Sequence, residues 1–327
     1  MQMGRSHRLD ADGVRVYAVE WVPERPAGDR RILLVHGLGA NTLSWTPFAQ
    51  PLADATGATV TAIDLVGFGR TRAPERSSSI ATNRALVEAV LGRLGPSVVV
   101  GNSMGAVIGT GVGASRPDLV DALVLVNPAL PWGRIGVGDW LRLARLTPLM
   151  LPSFGRHAIA TRARFLGPQR VVDATLSVTL HEPDRLDPEL RRRLVLLAAE
   201  RYAYPEAAGA YADAARSLLR ELGRGGFDRD LASASAARPT LLVHGAEDRL
   251  VCSSLARAAG ERHLDLTVEV LEGVGHAPQL EAPDRLLEVA AGWLDARMGP
   301  WRRDQAGVTS APAAVSSGSR SGHSSAS

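Results

Sequence analysis

A serine between two glycines is the clearest candidate for chemistry in this sequence. In the stretch SVVVGNSMGAV, Ser103 is the centre of a G-x-S-x-G pattern that follows a valine run and precedes a helical pattern. So sharp a turn from strand to helix strains the central residue, and side chains at positions 101 and 105 would collide. The spacing predicts that the Ser103 hydroxyl projects above a strand end as a nucleophile, near the positive end of a helix.

Serine is a weak nucleophile at neutral pH, so this prediction requires a base and a group that orients the base. Where a serine occupies such a turn, the chain order is nucleophile, acid, histidine. Asp248 follows the strand-like run PTLLVHG, and His276 follows the next run, LTVEVLEG. Because parallel strands collect their functional groups at one edge, we expect Ser103, Asp248 and His276 to form a catalytic triad.

Other histidines compete for the role of base. His36 and His244 each precede a glycine at a predicted strand end, where we expect a histidine to hold a loop by hydrogen bonds. We expect solvated or structural roles for the remaining five, which are His7, His157, His181, His263 and His323. His276 therefore stays the predicted base.

Three other residues are candidates for the acid of the triad, and each is less suitable than Asp248. Asn127 ends the preceding strand, but an amide cannot stabilise an imidazolium by charge. Glu247 is expected to point away from its neighbour Asp248, and Asp64 is expected to shape a loop. Asp248 is therefore the predicted acid.

The elements that would position these side chains alternate along the chain. Two short strands flank an Asp12-Gly13 turn signal, and six later apolar runs lack alternation, as strands covered on both faces do. These runs are RILLVHG, ATVTAID, SVVVGNS, DALVLVNP, PTLLVHG and LTVEVLEG. Helical patterns between them predict an α/β fold with a mostly parallel central sheet flanked by helices.

This alternation stops between about Pro131 and Arg238, where helical patterns follow one another without a strand. Structureless loops of that length are rare, so we predict a helical cap inserted after the sixth strand. The predicted parts are 1–130 and 239–303 for the core, 131–238 for the cap, and 304–327 for a disordered, serine-rich tail.

Composition excludes several classes of protein. The 327 residues are 45% hydrophobic, which supplies a core, and the charged start MQMGRSHRLD lacks the pattern of a signal peptide, so we expect a cytoplasmic protein. The single cysteine, Cys252, allows no intramolecular disulfide and no cysteine metal cluster. A formal charge of +3, carried by arginine without any lysine, does not indicate a nucleic-acid partner.

Four motifs in order make the sequence resemble the α/β-hydrolase fold family, over roughly Arg15 to Arg297. They are HGLGA at 36–40, GNSMG at 101–105, HGAEDRLV at 244–251 and GHAPQLEAP at 275–283. The segment DLVGFGRT from Asp64 is also similar to the family's loop after its fourth strand. By position, the resemblance implies that the backbone N–H groups of Leu38 and Met104 form an oxyanion hole.

The resemblance and the triad together predict a serine hydrolase, similar to the esterase and non-haem haloperoxidase branch, that cleaves a carboxylic ester through an acyl-enzyme. A small apolar ester is the expected partner, contact with a membrane is not favoured, and neither a metal nor an organic cofactor is expected. Three alternatives remain: hydrolysis of a carbon–carbon bond in a ring-cleavage product, haloperoxidase or perhydrolase activity, and ligand binding on a hydrolase scaffold. Ala40 and Ala277 depart from the pattern of carbon–carbon bond hydrolases.

The cap is expected to select the substrate. Its first portion, residues 139–167, is apolar and rich in arginine, and has no acidic residue after Asp139. This pattern fits an amphipathic helix with arginines in water, or contact with lipid or with an acidic group of the substrate. Trp45, Trp132 and Trp140 either line the pocket or pack in the core.

Overall fold

The central sheet has eight strands in the computed structural model, which describes residues 2–131 and 152–299, with residues 152–164 described by their backbone alone. In chain order the strands are β1 (Arg5–Ala11), β2 (Val14–Trp21), β3 (Arg31–Val35), β4 (Thr59–Ile63), β5 (Ser97–Asn102), β6 (Val120–Val126), β7 (Thr240–Gly245) and β8 (Leu266–Leu271). Their order in the sheet is β1-β2-β4-β3-β5-β6-β7-β8. Pairing is antiparallel between β1 and β2 and between β2 and β4, and parallel elsewhere.

Helices cover both faces of the sheet. Those described are α1 (Thr46–Thr56), α2 (Ile80–Leu94), α3 (Met104–Ser115), α4 (Pro152–Thr179), α5 (Pro188–Tyr202), α6 (Ala207–Gly223), α7 (Gly226–Ala237), α8 (Ser253–Arg262), α9 (Pro278–Glu281) and α10 (Pro283–Met298). The six predicted strands and the Asp12-Gly13 hairpin are confirmed; both turn residues have positive φ, as in the type I′ loops that are common in hairpins.

The absence of alternation in the strand sequences has a direct cause. Successive side chains of a strand point to opposite faces, and in β3 Leu33 and Val35 join one buried cluster while Ile32 and Leu34 join the other. All six residues of β5 and all six of β7 are buried for the same reason. The central strands therefore hold their carboxyl ends in fixed positions between two apolar layers.

Helices α4 to α7, called here the helical insert, lie between β6 and β7, so the prediction of helices inserted after the sixth strand is confirmed. Helix α4 is interrupted at Gly167, whose φ is 72°, directly before Pro168. Helix α5 begins after Asp187, whose carboxylate accepts the Leu190 N–H (2.8 Å). Trp132, Trp140 and the tail lie outside the described residues, and the bounds of the four predicted parts stay predictions.

Candidate active site

Ser103 lies in the sharp turn between β5 and α3. Its backbone is strained, with φ 54° and ψ −113°, and its N–H donates to the Val126 carbonyl of β6 (3.0 Å). A Cβ at Gly101 would lie 2.5 Å from the Gly105 carbonyl oxygen, and one at Gly105 would overlap the carbonyl of Val35. The two glycines are therefore required by close backbone contacts, and the predicted turn is present.

The structure brings the predicted acid and base together. The His276 Nδ1–H donates to Asp248 Oδ2 at 2.7 Å, and both residues are buried. Next to Ser103, the Asn102 side chain donates to the carbonyls of Val126 (3.1 Å) and His276 (3.2 Å). The loop that carries His276 is thus tied to the turn that carries Ser103, at the carboxyl edge of the sheet.

The Asp248 carboxylate is held by donors on both oxygens. Oδ1 accepts the backbone N–H groups of Leu250 (2.7 Å) and Val251 (3.0 Å). Oδ2 accepts the Asn127 amide N–H (2.8 Å) in addition to His276. Asn127, excluded above as the acid, therefore contacts the predicted acid directly, and its φ of 43° is one of three positive values at non-glycine residues in the described part of the chain.

Two histidines set the charge of Asp248. Burial by itself would raise the pKa of this carboxyl, but the interaction with His276 and the hydrogen bonds from His244 and His276 hold the pKa well below its usual range. His244 Nε2 lies 3.3 Å from Oδ2. An ionised Asp248 keeps the proton of His276 on Nδ1, so that Nε2 of His276 is an acceptor.

The His276 loop is also held by a residue that sequence reasoning missed. The Glu281 carboxylate accepts the N–H groups of Gly275 (2.7 Å) and Glu182 (2.5 Å). The His276 N–H donates to the Thr179 carbonyl at the end of α4 (2.7 Å). Glu281 thus links the helical insert to the His276 loop, and the only signal for it was its place in the GHAPQLEAP motif.

His36 holds a loop, as predicted. Its Nε2 accepts the Leu65 N–H (3.0 Å), and its Nδ1–H donates to the Gly37 carbonyl (2.8 Å). Burial lowers the pKa of His36 from its ordinary 6.5 to about 4, so the ring is neutral near pH 7. Of the other histidines, His263 faces Asp228 (3.3 Å), whereas the His157 side chain and all of His323 lie outside the described residues.

Asp64 also shapes loops, as predicted. It is fully buried, and it accepts the backbone N–H groups of Thr42 and Arg70, each at 2.7 Å. Burial raises the pKa of Asp64 to about 6, although these hydrogen bonds oppose the shift. Glu247 is exposed beside the buried Asp248, in agreement with its exclusion as the acid.

The segment HGLGA, called here the HGLGA loop (residues 36–40), lies against the serine turn. A Cβ at Gly37 would lie 3.1 Å from the Ser103 Cβ.

Met104 is the first residue of α3, so its N–H has no acceptor within the helix. The Met104 side chain is fully buried in the core, the Leu38 side chain is half-buried, and Trp45 packs in the core. Assignment of the Leu38 and Met104 N–H groups to an oxyanion hole stays a prediction.

The described residues form neither a metal site nor a helix that could cross a membrane. Residues 2–131 and 152–299 contain no cluster of three His, Cys, Asp or Glu side chains with the arrangement of a metal site. In the same ranges, no helix has both the length and the apolar character needed to cross a bilayer.

Comparisons with known proteins identify the family of this chain. The family model of the alpha/beta hydrolase family matches residues 32–289. Lipase LipV of Mycobacterium tuberculosis is 32% identical over 185 residues, which are 55% of this chain. The matched part spans 63% of the lipase, which is less than two thirds of its length. An esterase of the same organism is 28% identical over 291 residues, or 86% of this chain and 87% of the esterase.

A solved structure described as a membrane phospholipase A and bacterial virulence factor has the same fold. Its TM-score is 0.68 at 23% identity, over 90% of this chain and 87% of that one. The family match spans the strands that carry Ser103, Asp248 and His276. The chain therefore belongs to the alpha/beta hydrolase family and is an enzyme of that family.

Proposed function

We propose that the protein is a serine hydrolase that cleaves a small carboxylic ester. The observation that carries the proposal is the buried 2.7 Å hydrogen bond between His276 and Asp248, at the sheet edge where Ser103 occupies a strained turn. The names of the two relatives, a lipase and an esterase, support ester hydrolysis rather than another reaction of the fold.

The reaction begins with attack by Ser103 Oγ on the ester carbonyl carbon, while Nε2 of His276 takes the hydroxyl proton. Asp248 keeps the imidazole in the Nδ1–H tautomer and stabilises the imidazolium that forms. The carbonyl oxygen becomes an oxyanion, which accepts hydrogen bonds from the N–H groups of Leu38 and Met104.

Collapse of the tetrahedral intermediate breaks the bond to the leaving alcohol. His276 returns its proton to the alkoxide, and the acyl group stays on Ser103 as an ester. Water then gives a proton to His276 and attacks the acyl-enzyme, and the second collapse releases the acid and restores the Ser103 hydroxyl. Each half-reaction therefore uses the same donors and the same base.

The test combines a covalent probe with turnover. Wild type and Ser103→Ala are treated with a fluorophosphonate and assayed on p-nitrophenyl esters of increasing acyl length. Ser115→Ala, an exposed serine at the far end of the same helix, is the matched control. We expect labelling and turnover in wild type and Ser115→Ala, and neither in Ser103→Ala.

A wild-type chain that is not labelled and shows no turnover would overturn the proposal. If that chain still bound esters without cleaving them, ligand binding on a hydrolase scaffold would be the better description. Equal labelling of wild type and Ser103→Ala would place the nucleophile elsewhere.

A further inference from the structure

Helices α5 and α6 of the insert, called here the α5–α6 arm, rest on two loops of the core. A Cβ at Gly39, in the HGLGA loop, would lie 2.8 Å from Cε2 of Tyr211 in α6. A Cβ at Gly67, in the loop that follows β4, would lie 2.6 Å from Cβ of Ala210. Two adjacent residues of α6 therefore occupy the space left by two core glycines, and the Tyr211 ring packs on the larger core cluster.

Arg201 fixes the position of this arm. Its guanidinium donates to the Gly67 carbonyl (2.6 Å) and to the Gly69 carbonyl (2.9 Å), in a planar two-pronged contact that lysine could not reproduce. The neighbouring Glu200 pairs with Arg70 at 2.9 Å. The end of α5 is thus attached to the loop after β4, and α6 follows directly.

The two core loops are also attached to each other. The Leu65 N–H donates to His36, and the Thr42 N–H donates to Asp64, so each end of the segment from 36 to 42 is tied to the chain just after β4. Between these ends, Gly39 meets Tyr211, and Gly39 adjoins Leu38, whose N–H is a proposed oxyanion donor. The Tyr211 ring therefore lies against the middle of the segment that carries this N–H.

We propose that Tyr211 is a positioning residue, which holds the middle of the HGLGA loop so that the Leu38 N–H points at the oxyanion. The inference rests on the proposed function. Its physical basis is that a hydrogen bond to the oxyanion strengthens only in the transition state. Loss of the ring should therefore lower kcat and leave substrate binding nearly unchanged.

The experiment measures kcat and KM for Tyr211→Ala and Tyr211→Phe on the ester that wild type cleaves best. Removal of a whole oxyanion donor typically costs about 10²- to 10³-fold in kcat, so a misdirected donor should cost on the order of 10-fold. We expect that loss in Tyr211→Ala, with KM changed less than about 3-fold. Tyr211→Phe keeps the ring and should lose less kcat than Tyr211→Ala. Leu196→Ala, an exposed position on the same arm, is the matched control.

Unchanged kcat in Tyr211→Ala would overturn the inference, as would a higher KM with unchanged kcat, because the ring would then only contact the substrate. Tyr211→Leu keeps apolar volume in α6 and replaces Tyr211→Ala if thermal unfolding shows that the alanine variant is not folded. Its kcat should also fall, and wild-type kcat in this variant would count against the inference. An inactive, unlabelled wild type would overturn the proposed function itself, and this inference with it.

Discussion

The segment LLVHG occurs twice, at residues 33–37 and 241–245, and each copy ends a buried parallel strand, β3 or β7. Both histidines are fully buried. In the first copy, His36 pairs with the Leu65 N–H and with a carbonyl, so both ring nitrogens have partners. In the second copy, His244 Nε2 faces the Val251 carbonyl (3.0 Å) and Asp248 (3.3 Å), whereas Nδ1 is buried and has no hydrogen-bond partner within residues 2–131 and 152–299.

In these two segments the local sequence determines the backbone conformation, whereas the segments that pack against them determine the hydrogen-bond partners of the histidine. Five identical residues produce the same strand end, because the apolar run is covered on both faces and the glycine allows the chain to turn. The chemistry of the histidine depends on the segment that packs against it: the loop after β4 in one case, and the loop with Asp248 in the other. The first copy supports the HGLGA loop, and the second supports the proposed acid.

Asp248→Asn should have the largest effect, and it tests whether the second LLVHG segment, at 241–245, supports the catalytic acid. The amide cannot stabilise the imidazolium of His276 and favours the wrong tautomer, so kcat should fall by about 10⁴-fold. The measurement is turnover of a p-nitrophenyl ester, with Glu247→Gln, its exposed neighbour, as the matched control. A loss of similar size in Glu247→Gln, or a small loss in Asp248→Asn, would show that the acid has been assigned to the wrong residue.

The two glycines of the repeated segment should respond differently to alanine. A Cβ at Gly245 would overlap the backbone carbonyls of Val274 and Gly275, whereas one at Gly37 would meet the Ser103 Cβ at 3.1 Å. We expect Gly245→Ala to lower the free energy of unfolding by about 3 kcal/mol, and Gly37→Ala by about 1 kcal/mol or less, as measured in urea. Gly37→Ala should instead lower kcat, because it displaces the serine turn. Equal destabilisation by the two substitutions would contradict this comparison.

The parts of the fold that sequence reasoning predicted are those that local physics determines. Runs such as SVVVGNS, short and rich in β-branched residues, favour strands covered on both faces, and the two glycines around Ser103 define a turn that few other residues could make. The contact of Asn127 with Asp248 and that of Glu281 with Glu182 were not predictable, because each joins residues that lie about 100 or more positions apart in the chain. The contact of Tyr211 with Gly39 depends likewise on how the insert packs.

His36→Gln tests the first copy through the pH dependence of stability. Because burial lowers the pKa of His36 to about 4, the unfolded chain binds more protons than the folded protein between pH 6.5 and 4. The stabilisation from neutral His36 is fully present above pH 6.5 and is lost as pH falls towards 4. The difference in free energy of unfolding between wild type and His36→Gln should therefore grow by about 3 kcal/mol from pH 4 to 6.5.

The measurement is urea unfolding of both proteins at several pH values. Asp64 changes the free energy of unfolding with pH in the opposite direction. Because burial raises the pKa of Asp64 to about 6, the stabilisation from its protonated form is fully present below pH 3.8 and is lost as pH rises through 6. This contribution is common to both proteins and cancels in the difference. Parallel curves for wild type and variant would mean that His36 does not titrate as its burial requires.

The smallest effects should come from His36→Leu and His244→Leu. These two variants compare the two LLVHG segments directly, because the same substitution is made at the same position of each. His36→Leu leaves the buried Leu65 N–H without an acceptor and should cost about 1 to 3 kcal/mol of unfolding free energy. His244→Leu removes the hydrogen bonds to Val251 and Asp248, but it also removes a buried nitrogen that has no hydrogen-bond partner among the described residues, so the loss should be smaller than in His36→Leu, at about 1 kcal/mol. Asp248 keeps four other donors, so kcat in His244→Leu should fall less than about 10-fold. If His244→Leu destabilised the protein as much as His36→Leu, the two copies of the segment would be equivalent after all.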